Sequence, residues 1–111
     1  MNDKERKFLM DIKLAISLIE DFCKEIESFD QYENDIKTKS AVERQLAIIG
    51  EAVSKFKQIN STDVFSKSRE IVNFRNKIIH AYDGIDDSII WAILITHVPV
   101  LKDEVESLLN K

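Results

Sequence analysis

At 111 residues, with 44% apolar side chains and a formal net charge of −4, the chain suits one water-soluble unit, residues 1–111, and leaves little room for a second. Two glycines and one proline are too few for a sheet-rich or loop-rich protein, and a single cysteine excludes an internal disulfide framework. The acidic balance argues against a general nucleic-acid binder, and the longest late apolar run, IIWAILI, is seven residues, far short of a membrane span. A cytoplasmic protein without a membrane partner is expected.

The first predicted helix runs from about Asp3, a natural cap, to Phe29. Phe8, Ile12, Ala15, Ile19, Phe22, Ile26 and Phe29 recur at spacings of three and four, and Leu14 and Leu18 widen the stripe. Cys23 falls within this run and is expected to be a buried thiol kept reduced. The polar stretch DQYENDIKTKS follows. Ser40, with Glu43 three residues on, reads as the capping box of the second helix, although Lys37 and Lys39 equally fit an earlier turn. Val42, Leu46, Ile49, Val53 and Phe56 form its stripe. Gly50 sits inside it at a cost of about 1 kcal/mol against alanine, which points to close approach by another helix.

Asn60–Thr62 predicts a turn, and the third helix spans Asp63 to about His80, with Val64, Phe65, Ile71, Val72, Phe74, Ile78 and Ile79 as its apolar positions. Gly84 can end it, and Asp86 is placed to cap the next. The fourth segment starts near Asp87 and carries Pro99, where a kink or short break is expected. Trp91 in this segment reads as packing. Four amphipathic segments with short joins predict an all-α antiparallel bundle of four to five helices. Isoleucines on several faces of the third and fourth segments fit either a subunit interface or a crowded core.

One stretch exceeds what folding needs. NFRNKIIHAYDGID, Asn73 to Asp86, gathers Arg75, Asn76, His80 and Tyr82 at a helix end. From Lys67 to His80 there are four cationic residues against one acid, whereas from Asp83 onward there are six acids against two lysines. Asn76 and His80, four apart, share a helical face. His80 stands where the helix dipole favours a cation, and histidine exchanges protons near neutral pH. Arg75 offers a planar fork of donors suited to phosphate, and Asn76 can donate and accept at once. Such a set can cleave an RNA phosphodiester without metal, provided a second imidazole protonates the leaving oxygen. A symmetric dimer supplies one, since His97 lies deep in the fourth segment. The same residues also suit a polar helix cap with His80 bonded to a carbonyl. No zinc spacing, glycine-rich phosphate loop or Glu-x-x-His pair is present, so no metal or cofactor is expected.

RNKIIHAY, Arg75 to Tyr82, resembles the Arg-x4-His-x-Tyr signature of the HepT-like toxins of the HEPN superfamily. AVERQLAIIGEAVSKF, Ala41 to Phe56, resembles the family's "IGEA" helix, and IIWAI followed by VPVLKDEV is similar to its C-terminal half. The family often has a Pro-Trp pair where this chain has DVFSKS. The resemblance implies a dimeric helical bundle with the motif at a shared cleft. It implies a metal-independent endoribonuclease, the toxin of a type VII-like toxin–antitoxin system, with Arg75 and His80 as the catalytic pair and Asn76 in support. It implies that Tyr82 accepts AMP from an MNT-type nucleotidyltransferase antitoxin, which silences the toxin. The alternative is a noncatalytic nucleotide- or RNA-binding subunit that pairs with such a nucleotidyltransferase.

Overall fold

Asn2, rather than Asp3, opens the first helix. Its side chain accepts the Glu5 N–H at 2.8 Å while the Glu5 carboxylate accepts the Asn2 N–H, a reciprocal cap. The computed structural model describes residues 1–80 and 85–111. Helix α1 (Asp3–Phe22) is shorter than its apolar spacing predicts. The Cys23 N–H bonds back to Ile19 and Asp21, and a turn through Ile26 follows. Ile26 then packs on the core from the connection, and Phe29 faces Trp91 from a separate short helix, α2 (Phe29–Glu33). The spacing therefore persists where the helix does not. Ser28 caps α2, and Gln31 reaches back to the Glu27 N–H at 2.6 Å. Leu14 is 62% exposed and does not widen the buried stripe.

Helix α3 (Ile36–Ile59) begins a full turn before the expected Ser40 cap. The Asp35 carboxylate accepts the Thr38 N–H at 3.0 Å and the Thr38 hydroxyl at 2.8 Å, so the helix is already running when it reaches Ser40. Helix α4 (Ser68–His80) starts later than predicted. Val64 and Phe65 belong to an anchored connection, not to a helix. Phe65 is buried against Phe56, with ring centroids 5.3 Å apart, and the Ser66 N–H donates to Glu104 at 3.1 Å.

Asp86 caps α5 (Asp87–Thr96) as expected, accepting the Ser88 N–H at 2.9 Å. The break at the proline is also found. Helix α5 ends before His97, and α6 (Val98–Leu109) starts with Pro99 in its first turn, where a missing amide costs nothing. Among the described residues the chain has six helices and no strand, an all-α fold. The expected stop at Gly84 lies outside the described residues.

Helix α1 packs on α3 and α6, α3 on α4, and α5 on α6, while α2 touches α3 and α5. Leu9, Ile12 and Ile16 of α1 meet Val42, Ile49, Val53 and Phe56 of α3 and Leu101 and Val105 of α6 in one core. Each such side chain contributes about 1.5–3 kcal/mol by leaving water. Trp91 packs as predicted, 5.6 Å from the buried Tyr32 ring and 6.4 Å from Phe29. No helix among the described residues is long and apolar enough to cross a membrane.

Candidate active site

The seam between α3 and α4 turns on Gly50. A Cβ built there would lie 2.7 Å from Arg75 Cγ and closer still to Arg75 Cβ. The glycine thus lets the arginine stem lie directly on the α3 backbone, the close approach its position predicts. The next residue, Glu51, receives the other end of the same side chain. Arg75 Nη1 forms an ion pair with Glu51 Oε2 at 3.0 Å, and Lys55 Nζ approaches Glu51 Oε1 at 3.6 Å from one turn further on. The Arg75 side chain is only 20% exposed, and its buried Nε–H meets no hydrogen-bond acceptor among the described residues.

Asn76 and His80 lie on the exposed part of α4, and His80 is its last residue. Five positions separate Arg75 from His80, so their side chains leave the helix axis about 140° apart. The helix therefore turns Arg75 toward α3 and keeps Asn76 and His80 toward solvent. The gathered residues are thus split into a held arginine and an exposed Asn76–His80 face, the shared face that their spacing predicts. Tyr82 lies outside the described residues.

Two grooves flank α4. One, of about 540 Å³, runs between α4 and α5 and is lined by Asn73, Lys77, Ser88, Ile89 and His97 among others. The second, about 380 Å³, lies on the α3 side and is lined by Ser54, Lys57, Arg69 and Asn73 among others. His97 is not deep in a helix. The proline break leaves it half-exposed at the α5–α6 junction, with its Nδ1 2.8 Å from the Thr96 hydroxyl. Pro99, two residues later, was the signal for that placement. In the sequence Glu51 stands out only as the acid of the IGEA segment, and its pairing is hidden because its partner comes from another helix. Among the described residues no three His, Cys, Asp or Glu side chains converge as metal ligands would. Cys23 is half-buried beside an apolar cleft of about 480 Å³, lined by α1, α5 and α6 and by no candidate residue. Burial and the Asp35 charge push its thiol pKa up, away from a reactive thiolate.

A small helical bundle that grips an arginine at a helix crossing and presents a histidine at the open end of the same helix defines a class built around one Arg-x4-His segment. The chain belongs to the Ribonuclease HepT-like family, whose profile matches residues 12–108. A protein of Thermococcus cleftensis named a probable ribonuclease HepT is 38% identical over 97% of this chain and 98% of its own length. A Methanocaldococcus jannaschii protein with a provisional RNase name is 37% identical over 95% of this chain and 87% of its own. One from Caldanaerobacter subterraneus, with a similar provisional name, is 34% identical over 76% of each chain. No solved structure matches the chain significantly.

Proposed function

We propose that this protein is a metal-independent endoribonuclease that works as a homodimer, with Arg75 and His80 as its catalytic pair and Asn76 in support. The near full-length match to a ribonuclease family, with the Arg75–His80 segment intact, carries this reading. In the proposed reaction the His80 imidazole takes the proton of a ribose 2′-hydroxyl, whose oxygen attacks the adjacent phosphorus. The Arg75 guanidinium stabilises the charge on the non-bridging oxygens. The bond from phosphorus to the 5′-oxygen breaks, and that oxygen takes a proton from a second imidazole. The products are a 2′,3′-cyclic phosphate and a 5′-hydroxyl. His80 of a second copy is the donor, and the divergence of Arg75 from His80 within one chain supports a site completed across two.

The protein is further proposed to be a toxin held in check by a nucleotidyltransferase antitoxin that attaches AMP to Tyr82. The added phosphate would compete with RNA for the Arg75 donors. Cleavage of total RNA in the presence of a chelator tests the catalytic reading. His80→Ala should lower the rate by roughly 10²–10⁴-fold, the usual value of a positioned proton-transfer group, and DNA, which lacks the 2′-hydroxyl, should resist. Magnesium-dependent cutting of DNA and RNA alike would overturn the mechanism. RNA binding without cleavage would leave the noncatalytic subunit.

A further inference from the structure

We infer that Glu51, set beside the gap left by Gly50, is a positioning residue that holds the Arg75 guanidinium ready for a phosphate. The inference rests on the catalytic reading of Arg75. Two observations on different atoms lead to it. The arginine stem is confined because it crosses α3 at the one place where no Cβ stands in its way. The head is confined because Nη1 is tied to Glu51 Oε2 at 3.0 Å. A free arginine side chain samples many rotamers, and that freedom is lost when it binds substrate. Here much of it is lost on folding instead, which favours the transition state of a reaction that needs the fork in one place.

The form of the contact separates holding from blocking. A carboxylate that took both terminal nitrogens of the guanidinium would occupy the fork that a phosphate needs. The Glu51 contact is a single ion pair from Oε2 to Nη1, and its other oxygen, Oε1, faces Lys55 Nζ at 3.6 Å. Between Arg75 and Glu51 the structure shows this ion pair and no bidentate hydrogen bonding, so the fork stays open to a phosphate. Lys55 in turn offsets the Glu51 charge, so the carboxylate can sit beside the fork without repelling an incoming phosphate as strongly.

The test is Glu51→Gln, which keeps the shape and an acceptor but removes the charge. Losing a negative charge alone should leave RNA binding unchanged or tighter. Losing the hold on Arg75 should lower kcat by roughly 10- to 100-fold, the range seen when a supporting residue behind a functional one is removed. A fall in kcat, counted per folded molecule, with KM unchanged or lower is therefore the expected split. In an Arg75→Ala background Glu51→Gln should cost less than about twofold, because a residue acting only through Arg75 has nothing left to act on. Faster cleavage by Glu51→Gln would make Glu51 a brake and overturn the inference, as would an equal loss in both backgrounds.

A second readout needs no cleavage. In the 15N NMR spectrum of the wild-type protein the Arg75 Nη groups should give separate, slowly exchanging signals that average together in Glu51→Gln. Averaged Arg75 signals in the wild type would overturn the inference even if the protein cleaves RNA. Separate signals lost in Glu51→Gln, in a protein that cleaves nothing, would keep the positioning role and refute the nuclease reading alone.

Discussion

Gly50 and Tyr32 show how single positions constrain the proposed chemistry. Alanine at position 50 would gain about 1 kcal/mol of helix propensity, but its methyl would press on the root of the Arg75 stem, and overpacking of this kind costs about 1–3 kcal/mol. Because the crowded atoms are Cβ and Cγ, not a flexible tip, a net loss of stability is expected for Gly50→Ala, read as a lower urea midpoint. A raised midpoint would show that the crossing relaxes freely. Tyr32 is fully buried, and burial, helped by the Glu43 and Asp87 charges, pushes its phenol pKa well above the usual tyrosine range. A buried, un-ionised phenol is a poor acceptor for a bulky nucleotide. Of the two tyrosines, Tyr82 should therefore take the proposed AMP. Intact mass after incubation with the cognate nucleotidyltransferase and ATP should show added AMP on the wild type and none on Tyr82→Phe. An equal gain on both would move the acceptor to a hydroxyl elsewhere.

Helices in this protein are set by short-range caps as much as by apolar stripes. Hydrogen bonds from the Thr38 backbone and side chain hold the Asp35 carboxyl below the usual aspartate range. A carboxylate depressed in this way supports the fold at pH values above its unfolded pKa, near 3.9, and that support fades as pH falls through the lower folded value. Asp35→Ala should therefore lower the urea midpoint at pH 7, and the gap to wild type should close as pH drops below about 4. A gap that stays constant would assign the effect to something other than the charge. The stripe on α3, the Asp86 cap and the break at Pro99 were legible in the sequence because each follows from neighbours a few residues away, and the close approach at Gly50 was legible because a mid-helix glycine signals it by itself. The end of α1 and the start of α4 were not. Ile26, Phe29, Val64 and Phe65 pack from non-helical chain or from another helix and mimic helical spacing. The Ser28–Gln31 pair was a readable cap signal that the stronger apolar periodicity masked. At the candidate site, the order Arg75, Asn76, His80 could be read directly. The grip of Glu51 on Arg75 could not, since it joins two helices.

At the scale of the whole molecule, two exposed isoleucines lie on the helices that carry and flank the candidate site. Ile79 on α4 and Ile89 on α5 are each 43% exposed. Ile79 is next to His80, and Ile89 lines the groove that also holds Lys77 and His97. A symmetric contact covering these side chains would bring two His80 residues toward one cleft, as the reaction scheme requires. Ile79→Asp and Ile89→Asp should each shift sedimentation from dimer to monomer and lower RNA cleavage while leaving helical circular dichroism unchanged. Dimers that persist in both variants would place the interface on another face. The lodging of Arg75 on α3 has a further consequence for control. Helix α3 carries much of the core that α1 also builds, so the backbone on which the Arg75 stem lies is held by the interior of the molecule. The exposed end of α4, where His80 sits, does not carry that load. An antagonist that prised the arginine stem off α3 would have to disturb that interior, whereas one that covers the fork or acts at the histidine end can silence the protein and leave it folded, ready to be released.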